Sequence, residues 1–289
     1  MKFTRLPGKS NHRTDYAVLY ANSWYSVSSL TDRTIDNPVK LLAAITTEPV
    51  ISGRVTRRLD EVTALRVDLA HAPTLADRRL PIWGAGLNYR GHSKDLAAAQ
   101  PSDGPGSYLR PATCLIDNGE TIMLPPQSSR VTAEAELGLI LGQSCKNVKR
   151  SDWRSAVAAV TVVLDLTAED AIRKNPRHIP WAKGFDSFCS IGPVLVALAD
   201  LSDDQLMSLT VSTRLNGETV ASAPVADMKY DCGFLVEYFT AGRTLPAGTV
   251  ICTGTPGAAP LADGDVVTAT VDGVGELSHP ITAGAIDRG

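Results

Sequence analysis

The strongest hydrophobic signals lie in the middle of the chain. Ala133–Leu141 alternates charged and apolar positions, then turns wholly apolar, which predicts a strand whose second half is buried. Val160–Leu166 is a near-continuous apolar run rich in valine, the pattern of a strand covered on both faces. Shorter strands are predicted on either side. Tyr16–Leu30 alternates and can fold back at Ala21-Asn22-Ser23. Leu80–Gly86 reads as a boundary followed by a strand and a sharp turn, and Thr121–Pro125 as a short strand. Leu209–Leu215 and Glu218–Val220 flank Asn216-Gly217, a strong hairpin signal. Short strands broken by Gly and Pro fill the chain from Thr249 onward.

Helices are fewer. One opens at Pro38, and others are predicted over Arg57–Leu69, Ser93–Ala99, Ser151–Ala159 (Ser151 as N-cap) and Tyr230–Thr240. Residues 92–109 are small, polar and rich in Gly and Pro, which suits a mobile loop able to act as a lid. The pattern predicts an α+β fold, mostly β, with a small N-terminal domain over 1–80 and a larger domain over 81–289.

Composition narrows the function. The chain has 289 residues, 44% of them hydrophobic and 20% charged, with a net charge of −3. A chain of this size buries about three quarters of its unfolded surface and needs no disulfide or structural zinc. The balanced charge argues against nucleic acid as partner. No apolar run approaches the roughly 20 residues of a membrane helix. Five cysteines without a C-x-x-C pair, no secretory signal and no glycosylation sequon predict reduced thiols in a cytoplasmic protein. Nucleotide and serine-nucleophile motifs fail. Gly8-Lys9-Ser10 lacks the upstream P-loop glycine, Gly84-Ala85-Gly86 meets Tyr89 where a dinucleotide fingerprint needs glycine, and no G-x-S-x-G or H-E-x-x-H occurs.

The remaining candidates are acids in unusual places. Glu134 and Glu136 are two apart in a strand and therefore share a face. Their strand runs into a core, so a cation must compensate them. Asp165 falls at the end of the apolar run Val160–Leu164. Three carboxylates without His or Cys suit Mg²⁺, Mn²⁺ or Ca²⁺ rather than zinc. A solvated sheet face is the alternative for Glu134 and Glu136 alone. His92 and Asp95 are three apart on a predicted helix, a spacing that can orient a general base or be a plain surface pair. Lys183 sits between Trp181 and Phe185, where it could neutralise acids or polarise a substrate oxygen, or simply snorkel to water. Thr253–Gly257 is a tight turn that could present N–H groups and hydroxyls to a ligand.

In order along residues 82–280, these pieces resemble the fumarylacetoacetate hydrolase family. The resemblance rests on Gly86-Leu87-Asn88-Tyr89-x-x-His92, Arg110-Pro111, Glu134-x-Glu136-Leu137, Asp165, Lys183-Gly184-Phe185-Asp186, Ile191-Gly192-Pro193, Asn216-Gly217-Glu218, Asp227-Met228 and Thr253-Gly254-Thr255-Pro256. It implies a catalytic domain of rolled mixed sheets behind a small N-terminal α/β domain, usually in a homodimer. It implies one Mg²⁺-like ion (or Mn²⁺ or Ca²⁺) on Glu134, Glu136 and Asp165, with Lys183 beside it. His92 with Asp95 would activate water, and Tyr89 and Thr255 would contact a small-molecule substrate. Family substrates are acylpyruvates, β-diketones or oxaloacetate. Splitting a C–C bond between two carbonyls leaves an enolate, which a divalent Lewis acid stabilises by several kcal/mol.

The sequence also departs from the family. Asp95 stands where Glu is usual. Ala168-Glu169-Asp170-Ala171-Ile172 replaces A-R-D-x-Q, which reverses a charge at Glu169 and removes an amide at Ile172. Ala221 replaces a glutamine after the Asn216-Gly217 hairpin. The expected activity is metal-dependent C–C hydrolysis of an atypical substrate, one that is bulkier, less anionic or amine-bearing. A decarboxylase, hydratase or isomerase/tautomerase on a related 2-oxo acid is the alternative, and a catalytically silent ligand-binding member a further one.

Overall fold

The computed structural model describes residues 1–7, 15–30, 35, 37–47, 62–91 and 102–284. Its strands are β1 (Lys2–Arg5), β2 (Tyr16–Tyr20), β3 (Ser23–Ser26), β4 (Ile82–Gly86), β5 (Gly106–Arg110), β6 (Leu115–Ile116), β7 (Ile122–Leu124), β8 (Val131–Leu141), β9 (Val157–Ala168), β10 (Cys189–Ala197), β11 (Thr210–Leu215), β12 (Glu218–Pro224), β13 (Val250–Cys252), β14 (Ala259–Pro260), β15 (Val266–Val271) and β16 (Gly275–Ala283). One mixed sheet runs β3-β2-β1-β10-β9-β8-β13-β4-β5, with β14 on β8 and β6 on β10. A second runs β12-β11-β15-β16-β7 and packs across β8, β9 and β10. The α+β, mostly β expectation holds.

β8 and β9 are buried along their whole length because the second sheet lies against them and the helix Pro38–Thr47 packs on β9. That double cover explains their near-continuous apolar sequence. The predicted hairpins form. Ala21 and Asn22 take positive φ between β2 and β3, and Asn216 and Gly217 do so between β11 and β12. The strands of the first 26 residues join the large sheet through the β1–β10 pairing.

Three local expectations change. No helix occupies 62–68: Leu65 instead makes an isolated bridge to Trp24, continuing the hairpin edge. Residues 57–61 lie outside the described residues. The helix over Ser151–Ala159 becomes a 3-10 turn over Arg150–Asp152 and a helical turn over Trp153–Ala156, because Val157 to Ala159 are taken into β9 by pairing with β8 and β10. Ser151 does not cap it; its hydroxyl bonds the Asp152 side chain. Finally, Gly106–Arg110 is not loop but β5, antiparallel to β4. The predicted helix Ser93–Ala99 lies outside the described residues.

The β4–β5 pairing sets Gly84 directly opposite Tyr108. The tyrosine ring lies across the glycine, so a Cβ there would come 2.0 Å from Tyr108 Cζ. Gly84→Ala is therefore expected to displace the ring and lower unfolding free energy by about 1–3 kcal/mol, the usual cost of overpacking. Chemical denaturation measures it, and an unchanged midpoint would show that the ring moves freely.

Candidate functional site

Strand geometry assembles the acid cluster. Glu134 lies opposite Asp165 in the β8–β9 register, and Glu136 is one pleat further along the same face. One oxygen from each of these buried residues lies within 4.8 Å of the others. The intervening Ala135 points the opposite way, into the core.

Two cations reach the cluster from distant elements. Lys183 follows the short helix Ile179–Ala182. Its Nζ donates to Asp165 Oδ1 at 2.8 Å, Glu134 Oε2 at 3.2 Å and Thr167 Oγ1 at 2.7 Å. Arg110, the last residue of β5, donates through Nη2 to Asp165 Oδ1 and through Nη1 to the carbonyls of Lys183 and Phe188. Tyr108, two residues earlier on the same face, donates its hydroxyl to Asp165 Oδ2. Lys183 Nζ stands 4.8 Å from the centre of that ring.

Glu136 is held differently. Its Oε2 accepts the Gly254 N–H at 2.8 Å. The turn Thr253–Gly257 comes this close because Gly254 has φ +93°, and a Cβ would meet Asn88 Cβ at 2.8 Å. Asn88 fixes the turn by donating to the carbonyls of Tyr230 and Thr253 and accepting the Tyr230 N–H.

The charges do not balance. Among the described residues, Glu134, Glu136 and Asp165 face two cations, Lys183 and Arg110. Burial pushes the Asp165 carboxyl up, but Arg110 and Lys183 overcome it and hold it below the usual aspartate range. Glu136 is pushed well above the usual glutamate range by burial first and then by Asp165. The missing positive charge is thus localised at Glu136. Oxygen-only donors short of one positive charge fit a hard divalent cation, which Glu134, Glu136 and Asp165 could hold.

A cavity of about 360 Å³ opens onto Glu134 and Glu136, while Asp165 lies beneath its wall, covered by Tyr108, Arg110 and Lys183. Thr255 and Ile172 line it, together with Leu87, Pro176 and Ile179. Thr255 Oγ1 donates to the Gly257 carbonyl at 2.8 Å. Tyr89 does not face this cavity. It is buried and bridged to Met228, and its hydroxyl has no hydrogen-bond partner among the described residues. His92 and Asp95 lie outside the described residues.

Glu169 changes meaning. It borders the cavity but is not a bare acid. Arg173 donates to its Oε1 through Nη2 at 2.5 Å and Nε at 3.0 Å, and Arg130 Nε donates to Oε2. The reversed charge read from sequence is neutralised, so the substitution gives no reason to expect a less anionic or amine-bearing substrate. Sequence reading also missed Tyr108 and Thr167. The Glu169–Arg173 spacing of four on a helix was a usable signal; Tyr108 carried none, since its role depends on β5 lying beside β4.

Comparison with known proteins adds the following. The model of the fumarylacetoacetate hydrolase C-terminal family matches residues 81–282. An uncharacterized protein of Methanocaldococcus jannaschii is 37% identical over 67% of this chain and 79% of its own. The oxaloacetate tautomerase of Escherichia coli is 34% identical over 65% of this chain and 86% of its own. The structure of a 5-carboxymethyl-2-hydroxymuconate delta-isomerase from Mycobacterium smegmatis superposes with TM-score 0.70 at 27% identity, covering 99% of this chain and 100% of that one. Maleylpyruvate hydrolase from Sphingobium, solved with manganese(II) and pyruvate, shares the fold, with TM-score 0.77 at 22% identity over 99% of this chain and 100% of that one.

Proposed function

Because this chain belongs to the fumarylacetoacetate hydrolase family, we propose that it is a divalent-metal-dependent enzyme that cleaves a C–C bond in an acylpyruvate-like or other β-dicarbonyl substrate. The observation carrying the proposal is the buried convergence of Glu134, Glu136 and Asp165, two of them lining the cavity, with one positive charge fewer than the acids among the described residues. A bound Mg²⁺ or Mn²⁺ ion would supply Lewis-acid stabilisation of negative charge on a substrate oxygen. Lys183 holds Glu134 and Asp165 apart and adds fixed positive charge to the cavity. Thr255 and the Gly254 turn line the end nearest Glu136 and orient the substrate. Leu87, Ile172, Pro176 and Ile179 exclude water from its carbon chain. In this proposal His92, polarised by Asp95, takes a proton from the attacking water. The reading extends, on family resemblance, to a cytoplasmic homodimer.

A second reading is tautomerisation or isomerisation, favoured by the identity to the oxaloacetate tautomerase and the delta-isomerase. It uses the same acids but no attacking water. Turnover of acetylpyruvate and oxaloacetate is expected to vanish in EDTA and return with Mn²⁺. In ¹⁸O-water, hydrolysis puts label into a carboxylate of the product and tautomerisation does not. Undiminished turnover after chelation would refute both readings.

A further inference from the structure

We infer that Cys114 and Cys189 form a peroxide-sensitive thiol pair, whose conversion to a disulfide loosens the protein's hold on a divalent ion through Arg110. The cross-link itself goes beyond the metal-dependent reading, and its effect on ion affinity rests on that reading. All five cysteines are free thiols, and two of them touch: Cys114 and Cys189 share a hydrogen bond. Topology brings them together. β5 ends at Arg110, the single turn Ala112–Cys114 follows, and β6 then pairs in parallel with the start of β10, Leu115 opposite Cys189. The Cys114 thiol also donates to the Pro111 carbonyl at 2.8 Å, which closes the turn on itself.

Arg110 joins this pair to the acids. Its Nη1 donates to Cys114 Sγ at 3.8 Å and to the carbonyl of Phe188, the residue before Cys189, at 3.0 Å. Its Nη2 donates to Asp165, which lies opposite Cys189 in the β9–β10 register. One buried guanidinium therefore divides its donors between the thiol pair and an acid of the cluster. Positive charge beside a sulfur favours the thiolate, the form that reacts. Contact with Cys189, and after it the Arg110 charge, hold the Cys114 thiol below its ordinary range despite burial. Cys114 lies in a turn whose neighbour Thr113 is exposed, whereas Cys189 is inside the large sheet, so a small oxidant reaches Cys114 first.

Two steps make the cross-link. The Cys114 thiolate attacks a peroxide: an S–O bond forms, the O–O bond breaks, and the leaving hydroxide takes up a proton as water. The Cys189 sulfur then attacks Cys114: the S–S bond forms, the S–O bond breaks, and the Cys189 proton leaves with the hydroxide as a second water. Two thiols give up two electrons and one peroxide accepts them. The disulfide offers Arg110 no thiolate charge. Arg110 then leans further on Asp165, which is given up less readily to an ion.

Metal-free folded protein treated with hydrogen peroxide, alkylated and digested is expected to yield a linked Cys114–Cys189 peptide by mass spectrometry. Its free thiols should fall from five to three and return with dithiothreitol. Cys145, half-buried and with its thiol pushed up by burial, should stay alkylatable. In Cys189→Ala, oxidation of Cys114 should stop at the sulfenic acid, which dimedone traps. Calorimetric titration with Mn²⁺ should show affinity about 3- to 10-fold weaker in the cross-linked protein than in the reduced one, the worth of one ordinary hydrogen bond. Finding both thiols free after peroxide, or Cys114 as sulfinate beside a free Cys189, would overturn the inference. So would cross-linked protein that bound Mn²⁺ as tightly as the reduced form. Reduced protein that failed to bind Mn²⁺ would instead refute the metal-dependent reading and the inference with it.

Discussion

Glu136→Gln is expected to abolish metal-dependent turnover while making the metal-free protein more stable. The substitution keeps the shape of the side chain and an oxygen for the Gly254 N–H, but removes the one acid of the cluster that has no ion pair among the described residues. Ion affinity should fall by more than about 100-fold, since even outer partners of metal ligands cost about 10- to 100-fold when altered. Stability should move the other way, because a buried and repelled carboxylate is replaced by a neutral amide. The pH dependence follows from the sign of the shift. The folded protein holds the Glu136 proton above the ordinary glutamate value of 4.5, where the unfolded chain has released it. Stability of the chelated protein therefore falls as pH rises from about 5 upward. Asp165 acts oppositely, since its carboxyl is held below 3.8 and its contribution is lost only in acid. Thermal unfolding between about pH 5 and pH 8 should slope downward in chelated protein. Glu136→Gln should remove that downward contribution, leaving the opposite one of His279, whose imidazole burial holds below its ordinary value. A variant that kept Mn²⁺ affinity, or kept the slope, would show that Glu136 is not the uncompensated acid.

Part of this site was legible in the sequence because short-range periodicity carries it. Glu134 and Glu136 share a face by strand geometry alone, and the apolar residues after them announced burial. The Asn216-Gly217 turn was equally local. What escaped was long-range. Nothing in the neighbourhood of Asp165 says that Glu134 is its cross-strand partner, because register between β8 and β9 is set across a 15-residue excursion. Tyr108 sits in a polar, glycine-containing stretch that reads as loop, and only the pairing of β5 with β4 turns its hydroxyl onto Asp165. Glu169 was legible in half: its pairing with Arg173 four residues on is local, and its second partner is not. Its reversed charge is visible in one residue, but its neutralisation needs Arg130 from the end of the preceding turn. The helix expected over 57–69 fails at 62–68 through another long-range term, the pairing of Leu65 with Trp24.

Lys183→Met should destabilise the chelated protein, and divalent ion should recover much of the loss. Burial pulls the Lys183 ammonium down, but Asp165 and Glu134 more than restore it, so the side chain is charged. Methionine fills a similar volume without charge. Glu134 and Asp165 then lose a donor at 3.2 Å and 2.8 Å, and Arg110 is left as the cation facing three acids. Removing one partner from a buried ionic network costs about 3–5 kcal/mol, which in a chain of this size lowers Tm by about 10 °C. The more negative cluster should hold Mn²⁺ more tightly than the unaltered site does. An ion at 100 times its Kd adds about 2.7 kcal/mol, so the Mn²⁺-induced rise in Tm should be larger in Lys183→Met than in the unaltered protein. Turnover should stay low even when the ion is bound, because fixed positive charge is gone from the cavity. Differential scanning calorimetry with EDTA and with Mn²⁺ separates the possibilities. A Tm loss that the ion does not recover would mean that Lys183 serves packing alone. No loss at all would mean that Glu134 and Asp165 are not held apart by it, and the electrostatic account of the site would fail.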